Sequence, residues 1–216
     1  MLPGPDIVIA CPHCGYLARR HTLISGNTVG AILWSDGKQE APMLPEFPEV
    51  VKCRGCKRFY WVNEAEVKGE LELFGATSKR VPEKWKRAEP IEHLTIEEYL
   101  EALDAGMGND VKKEGYLRVH FWWAVNDLVR GNANAQIPTR YVQKLHENLA
   151  KLSALLDERD PSDRIMKAEI ARETGDFAQA VRLLESVPPN FGWIADKIME
   201  LAKKKISVVW QLLPDQ

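Results

Sequence analysis

Cys11-Pro12-His13-Cys14-Gly15 and Cys53-Arg54-Gly55-Cys56-Lys57 hold all four cysteines of the chain. A two-residue gap in a tight turn lets both sulfurs face one ion. Two such turns supply the tetrahedral four-thiolate shell that zinc takes in structural sites, at roughly 2.3 Å per sulfur. The spacing predicts one structural zinc held by Cys11, Cys14, Cys53 and Cys56. Four thiolates leave no position for water, which predicts a folding role for the ion and no catalysis. Pro12 stiffens the first turn, and Gly15 and Gly55 are expected to take backbone angles closed to other residues. Lys52, Arg54, Lys57 and Arg58 crowd the second pair and are expected to offset the negative charge of the cluster.

Redox dithiols usually open a helix, whereas these pairs run on into the strand-like Tyr16-Leu17-Ala18 and Phe59-Tyr60-Trp61-Val62. His13 and His21 stand near the first pair but find the shell already filled, and read as surface histidines. Outward from the cysteines, Ile7-Val8-Ile9 and Thr28 to Trp34 read as strands, and Ser35-Asp36-Gly37-Lys38 as a hairpin turn. Prolines 42, 45 and 48 exclude a central strand or helix after it. Two CxxC turns joined by a hairpin insertion resemble a zinc ribbon, placed at residues 1–75. That resemblance is specific for metal and silent on task.

A polar, proline-bearing stretch at 76–92 reads as a linker, and 93–216 as a helical domain, making the chain α+β. Thr95-Ile96-Glu97-Glu98 opens the first helix as a capping box, and Gly106 closes it. Further helices are expected over about 110–130, 138–157, 161–174, 177–187 and 194–204, with a tail, Ile206 to Leu213, open to helix or strand. Residues 164–188 resemble a tetratricopeptide unit through Ala168, Gly175, Asp176, Phe177 and Ala180, with departures at Ala171 and Val187. The combination resembles a bacterial family that joins a paired-CxxC ribbon to such a helical region.

In the helix Tyr116 to Arg130, one broad side carries Leu117, Phe121, Trp122, Val125, Leu128 and Val129. The other gathers Trp123, Asn126, Asp127 and Arg130, a pattern that fits a contact patch for a protein or peptide partner. It also fits a middle helix whose polar groups bond to neighbouring loops.

Hydrophobic content of 45% supports a proper core, and a net charge of −2 gives no global pull toward nucleic acid or anionic membrane. No run approaches the ~20 apolar residues of a membrane helix, and no secretory signal opens the sequence, so a cytoplasmic protein with no membrane partner is expected. No nucleophile elbow, phosphate loop or zincin motif is visible, so no enzyme is expected. The expected function is a protein-interaction or scaffold module. The alternative is nucleic-acid binding, with Arg19, Arg20, Lys52, Arg54, Lys57 and Arg58 meeting phosphates and Trp34, Phe59, Tyr60 and Trp61 stacking on bases.

Overall fold

A computed structural model describes residues 1–71, 81–132 and 134–212. The chain is α+β, with strands concentrated in its N-terminal part and helices in its C-terminal part. It forms two compact units: Met1–Ala31 with Ala41–Met107, and Ile32–Glu40 with Gly108–Gln216.

In the first unit, β1 (Leu2–Pro3) pairs with β4 (Leu23–Ser25), while β2 (Asp6–Ala10) and β3 (Leu17–Arg20) form an antiparallel pair. Both Val8 and Ile9 are buried, because β2 is an inner strand with neighbours on each side. The next two strands, β5 (Ile32–Trp34) and β6 (Gln39–Glu40), belong to the second unit. The chain then returns to the first through β7 (Val50–Lys52), β8 (Phe59–Trp61) and β9 (Glu66–Leu71), the last lying along the free side of β2. A short α1 (Glu83–Lys86) precedes β10 (Glu89–Pro90), which runs parallel to β3.

Residues 72–80, which include the expected end of the ribbon and the start of the expected linker, lie outside the described residues. Residues 81–92 differ from that expectation, because they are part of the first unit. Ala88 is buried, and its carbonyl accepts a 2.6 Å hydrogen bond from Arg19 Nε. The unit also takes in the first long helix, α2 (Ile96–Asp104). As the sequence suggests, Thr95 and Glu98 make the full capping box, and Gly106 closes the helix at φ +75°.

The second unit holds α3 (Val111–Asn126), α4 (Thr139–Leu155), α5 (Pro161–Glu173), α6 (Phe177–Leu184) and α7 (Gly192–Lys203). Side-chain caps at Asp110, Asp160 and Asp176 satisfy amide groups that a helix start leaves open. Gly175, at φ +88°, makes the turn between α5 and α6, where a side chain would be strained. Small residues then let these helices approach closely: Ala168, Ala180 and Ala202 are fully buried or nearly so.

The Ser35–Lys38 turn forms as expected, with Gly37 at φ +81° and Trp34 N–H donating to the Lys38 carbonyl at 2.9 Å. Its strands are shorter than the sequence suggests, because Thr28 to Ala31 is itself a turn, with Gly30 at φ +75°. The apolar tail resolves as a strand: β11 (Gln211–Leu212) pairs with β5. Leu213 lies outside the described residues.

Candidate metal centre

The two CxxC segments fold into the same turn. Cys11 N–H donates to the Tyr16 carbonyl at 2.9 Å, and Gly15 N–H to the Cys11 carbonyl at 2.9 Å. At the matching positions, Cys53 N–H donates to the Arg58 carbonyl at 2.8 Å, and Lys57 N–H to the Cys53 carbonyl at 2.8 Å. Strand pairs β2–β3 and β7–β8 hold the two turns. The four sulfurs come together within 4.8 Å of one another. Across the turns, Cys11 Sγ lies 3.9 Å from Cys56 Sγ, and Cys14 Sγ lies 3.6 Å from Cys53 Sγ. A tetrahedron of sulfurs each about 2.3 Å from a central ion has edges of about 3.8 Å. The observed separations bracket that value.

The donor set also suits a cation electrostatically. Burial pushes the Cys11 thiol up to about 12, against hydrogen bonds from the His13 and Cys14 backbone. Burial raises Cys53 as well, opposed by the backbone of Cys56 and Gly55. The Arg58 backbone N–H, helped by the Arg58 side chain, draws half-buried Cys56 down to about 6. Buried thiols that resist ionisation alone are what a divalent cation stabilises as thiolates. Cys11 and Cys53 also belong to the unit's core, with Ile9, Val51, Tyr60 and Val62.

The glycines act differently from the sequence expectation. Gly15 does take a left-handed conformation, at φ +73°, but the equivalent residue of the second turn is Lys57, at φ +62°. Gly55 serves another purpose: a Cβ there would stand 2.9 Å from Cδ2 of Tyr16, whose ring lies against it. Since a non-glycine residue in this region costs about 1 kcal/mol or more, Lys57→Gly is expected to stabilise the metal-loaded protein by about 0.5–1 kcal/mol after the glycine's entropy. Thermal unfolding with zinc present would show the gain.

His13 joins the two turns without entering the ligand set. Its Nε2 lies 3.0 Å from the Phe59 carbonyl, and Arg58 donates back to the His13 carbonyl at 3.3 Å. His21 instead pairs with buried Asp6, Nδ1 to Oδ1 at 2.7 Å. One lost hydrogen bond of about 1 kcal/mol is roughly fivefold in an equilibrium. His13→Ala is therefore expected to weaken metal binding about fivefold in competition with a chromophoric chelator. His21→Ala should leave the affinity unchanged.

Half of the six nearby basic groups are committed to carboxylates. Lys52 reaches Glu98 and Glu101, Arg54 reaches Glu89 and Glu92, and Arg19 reaches Asp6. Of the four expected counter-charges, Arg58 is one that acts on the cluster, helping to lower Cys56. The aromatics Trp34, Phe59, Tyr60 and Trp61 are all buried.

The expected contact patch on α3 is occupied by the chain's own hairpin. Trp123 Nε1 donates to the Asp36 carbonyl at 3.0 Å, and Asn126 Nδ2 to Asp36 Oδ2 at 2.9 Å. Arg130 grips the Asp36 carboxylate through both terminal nitrogens, and Asp127 pairs with Lys38 at 2.7 Å. α3 is buried on more than one side, through Leu117 and Phe121 as well as His120 and Asn126, as a middle helix is. Leu128, expected on the core side, is exposed because the helix ends at Asn126. Long-range partners of this kind leave no signal in helical periodicity.

No protein-family model, curated protein or solved structure matches this chain. Among the described residues, no helix is long and apolar enough to cross a membrane.

Proposed function

We propose that the chain is a zinc-stabilised scaffold: one zinc ion held by Cys11, Cys14, Cys53 and Cys56 fixes the first unit, and the helical unit receives a protein partner. The observation that carries the zinc reading is the pair of cross-turn sulfur separations, 3.6 and 3.9 Å, at the edge length of a four-thiolate tetrahedron. A filled shell supports a structural ion, with no open position for substrate or water. Cobalt substitution tests the ligand set. Four thiolates should give intense sulfur-to-metal charge transfer and a tetrahedral d–d spectrum, and a pale octahedral spectrum would refute it.

The partner reading has its support in the α5–α6 pair, which resembles a tetratricopeptide hairpin. A groove of about 400 Å³ runs along α4, α5 and α6, where apolar Ala150, Ile170 and Leu183 alternate with polar groups that include Glu158, Lys167 and Asp176. Grooves between helices commonly take peptide segments. An Ala150→Glu variant, changed at an exposed position of the groove, should lose partner capture while keeping its metal content and its helical circular dichroism. The nucleic-acid alternative draws less support, since its stacking residues lie in the core and half of its six basic residues are paired with carboxylates. Single-stranded oligonucleotides should accordingly give no salt-sensitive shift.

A further inference from the structure

We propose that the 32–40 hairpin is a pH-sensitive latch, held in the helical unit by a proton carried on the buried carboxyl of Glu173 and released when that proton leaves. The charge count inside the unit motivates this. Three carboxyls, Asp36, Glu169 and Glu173, share a buried region with two guanidiniums, Arg130 and Arg172. Each guanidinium already forks onto one of the buried carboxylates other than Glu173. Arg130 forks onto Asp36, and Arg172 forks onto Glu169 through Nε at 2.7 Å and Nη2 at 2.5 Å.

Glu173 is the acid left over. Its close donors are neutral: Trp122 Nε1 at 2.7 Å, and Asn126 Nδ2 at 3.2 and 3.3 Å from its two oxygens. Arg172 stands farther off, at 3.8 Å. Burial and the charges of Glu169 and Asp36 push the Glu173 carboxyl well above the usual carboxylate range, against the pull of Arg172 and Trp122. Asp36 is also raised by burial, but Arg130 and Asn126 oppose this. Two acids coupled through one amide nitrogen titrate as a pair, and the one without a guanidinium keeps the proton.

The groups facing Glu173 come from each element packed there. They are Glu169 and Arg172 on its own helix, Asn126 of α3 with Arg130 beyond its end, and Asp36 from the hairpin. At the more exposed margin Asp127 pairs with Lys38 at 2.7 Å and also accepts from Arg130 Nε at 2.6 Å. Ser35 Oγ accepts from Arg172 Nη2 at 3.2 Å and from the Trp210 amide at 2.9 Å. The Asn126 amide therefore touches both the leftover acid and the hairpin's Asp36. Loss of the proton places a second negative charge across that amide from Asp36. The hairpin, held at its tip by Asp36, is the element that gives way.

The sign follows from the raised folded value. The contribution of Glu173 is fully present below its unfolded pKa and is lost as pH rises through the folded one. The test is a carbon-13 titration of the glutamate carboxyls, with Glu173→Gln and Glu173→Asp assigning the resonance. Amide exchange of residues 32–40, corrected for intrinsic rates, is followed over the same range. Glu173 should titrate far above the other glutamates, and hairpin exchange should rise at least tenfold with the same midpoint. Glu173→Gln, which mimics the neutral carboxyl, should abolish that rise. A Glu173 resonance titrating with the other glutamates would overturn the proposal, as would hairpin exchange that ignores its midpoint. If the glutamine variant does not fold, the wild-type comparison of the two midpoints still decides.

Discussion

Cys53→Ser, or stripping the metal with a strong chelator, is expected to unfold the first unit and leave the helices of the second. Apparent binding free energies for structural zinc reach about 10–16 kcal/mol in small zinc modules, comparable with the total stability of a domain, about 5–15 kcal/mol. Here Cys11 and Cys53 are also core residues, packed with Ile9, Val51, Tyr60 and Val62. Without the ion those sulfurs face one another across the centre of the core, and serine at 53 adds a buried hydroxyl with no metal to bind. The loss should exceed about 5 kcal/mol. Exchange mass spectrometry would show amides of 6–20 and 50–62 losing protection, while α5 to α7 keep theirs.

The second large effect is expected at Arg172, whose side chain is completely buried. Its guanidinium forks onto Glu169 and also donates to the Ile206 carbonyl and to Ser35 Oγ, tying α5 to the hairpin and to the C-terminal segment. Arg172→Ala removes the cation and leaves a buried carboxylate unpaired, a change that typically costs about 3–5 kcal/mol. For a unit of this size the melting temperature should fall by about 12 °C or more. Glu169→Leu combined with Arg172→Met should recover a good part of the loss, because a buried ion pair can be replaced by apolar groups of similar volume. If the double variant were no better than Arg172→Ala, the unpaired charge would not be the cause.

What the sequence reveals and conceals divides along physical lines. The metal ligands are legible because ligand spacing is local: two residues separate each pair, and the turn geometry does the rest. The helix start at Thr95 is legible for the same reason, since a cap and its amide lie within three residues. The hairpin is recognisable from Asp36-Gly37, but its allegiance is not. It stands between the two CxxC turns in sequence and belongs to the helical unit in space. Asp36 meets Arg130 across 94 positions, and Ser35 meets Arg172 across 137. The α3 patch was visible as an odd gathering of Trp123, Asn126, Asp127 and Arg130, yet its occupant could be found only by folding the chain. Lys57 was likewise hidden, because a lysine at positive φ carries no signature of its own.

The central claim is tested most directly by counting metal on intact protein. Native mass spectrometry of protein purified without added metal should show one zinc ion per chain, and Cys53→Ser should show none. Fully reduced, folded wild-type protein that carries no metal, and whose melting temperature does not change when zinc is supplied, would contradict the account.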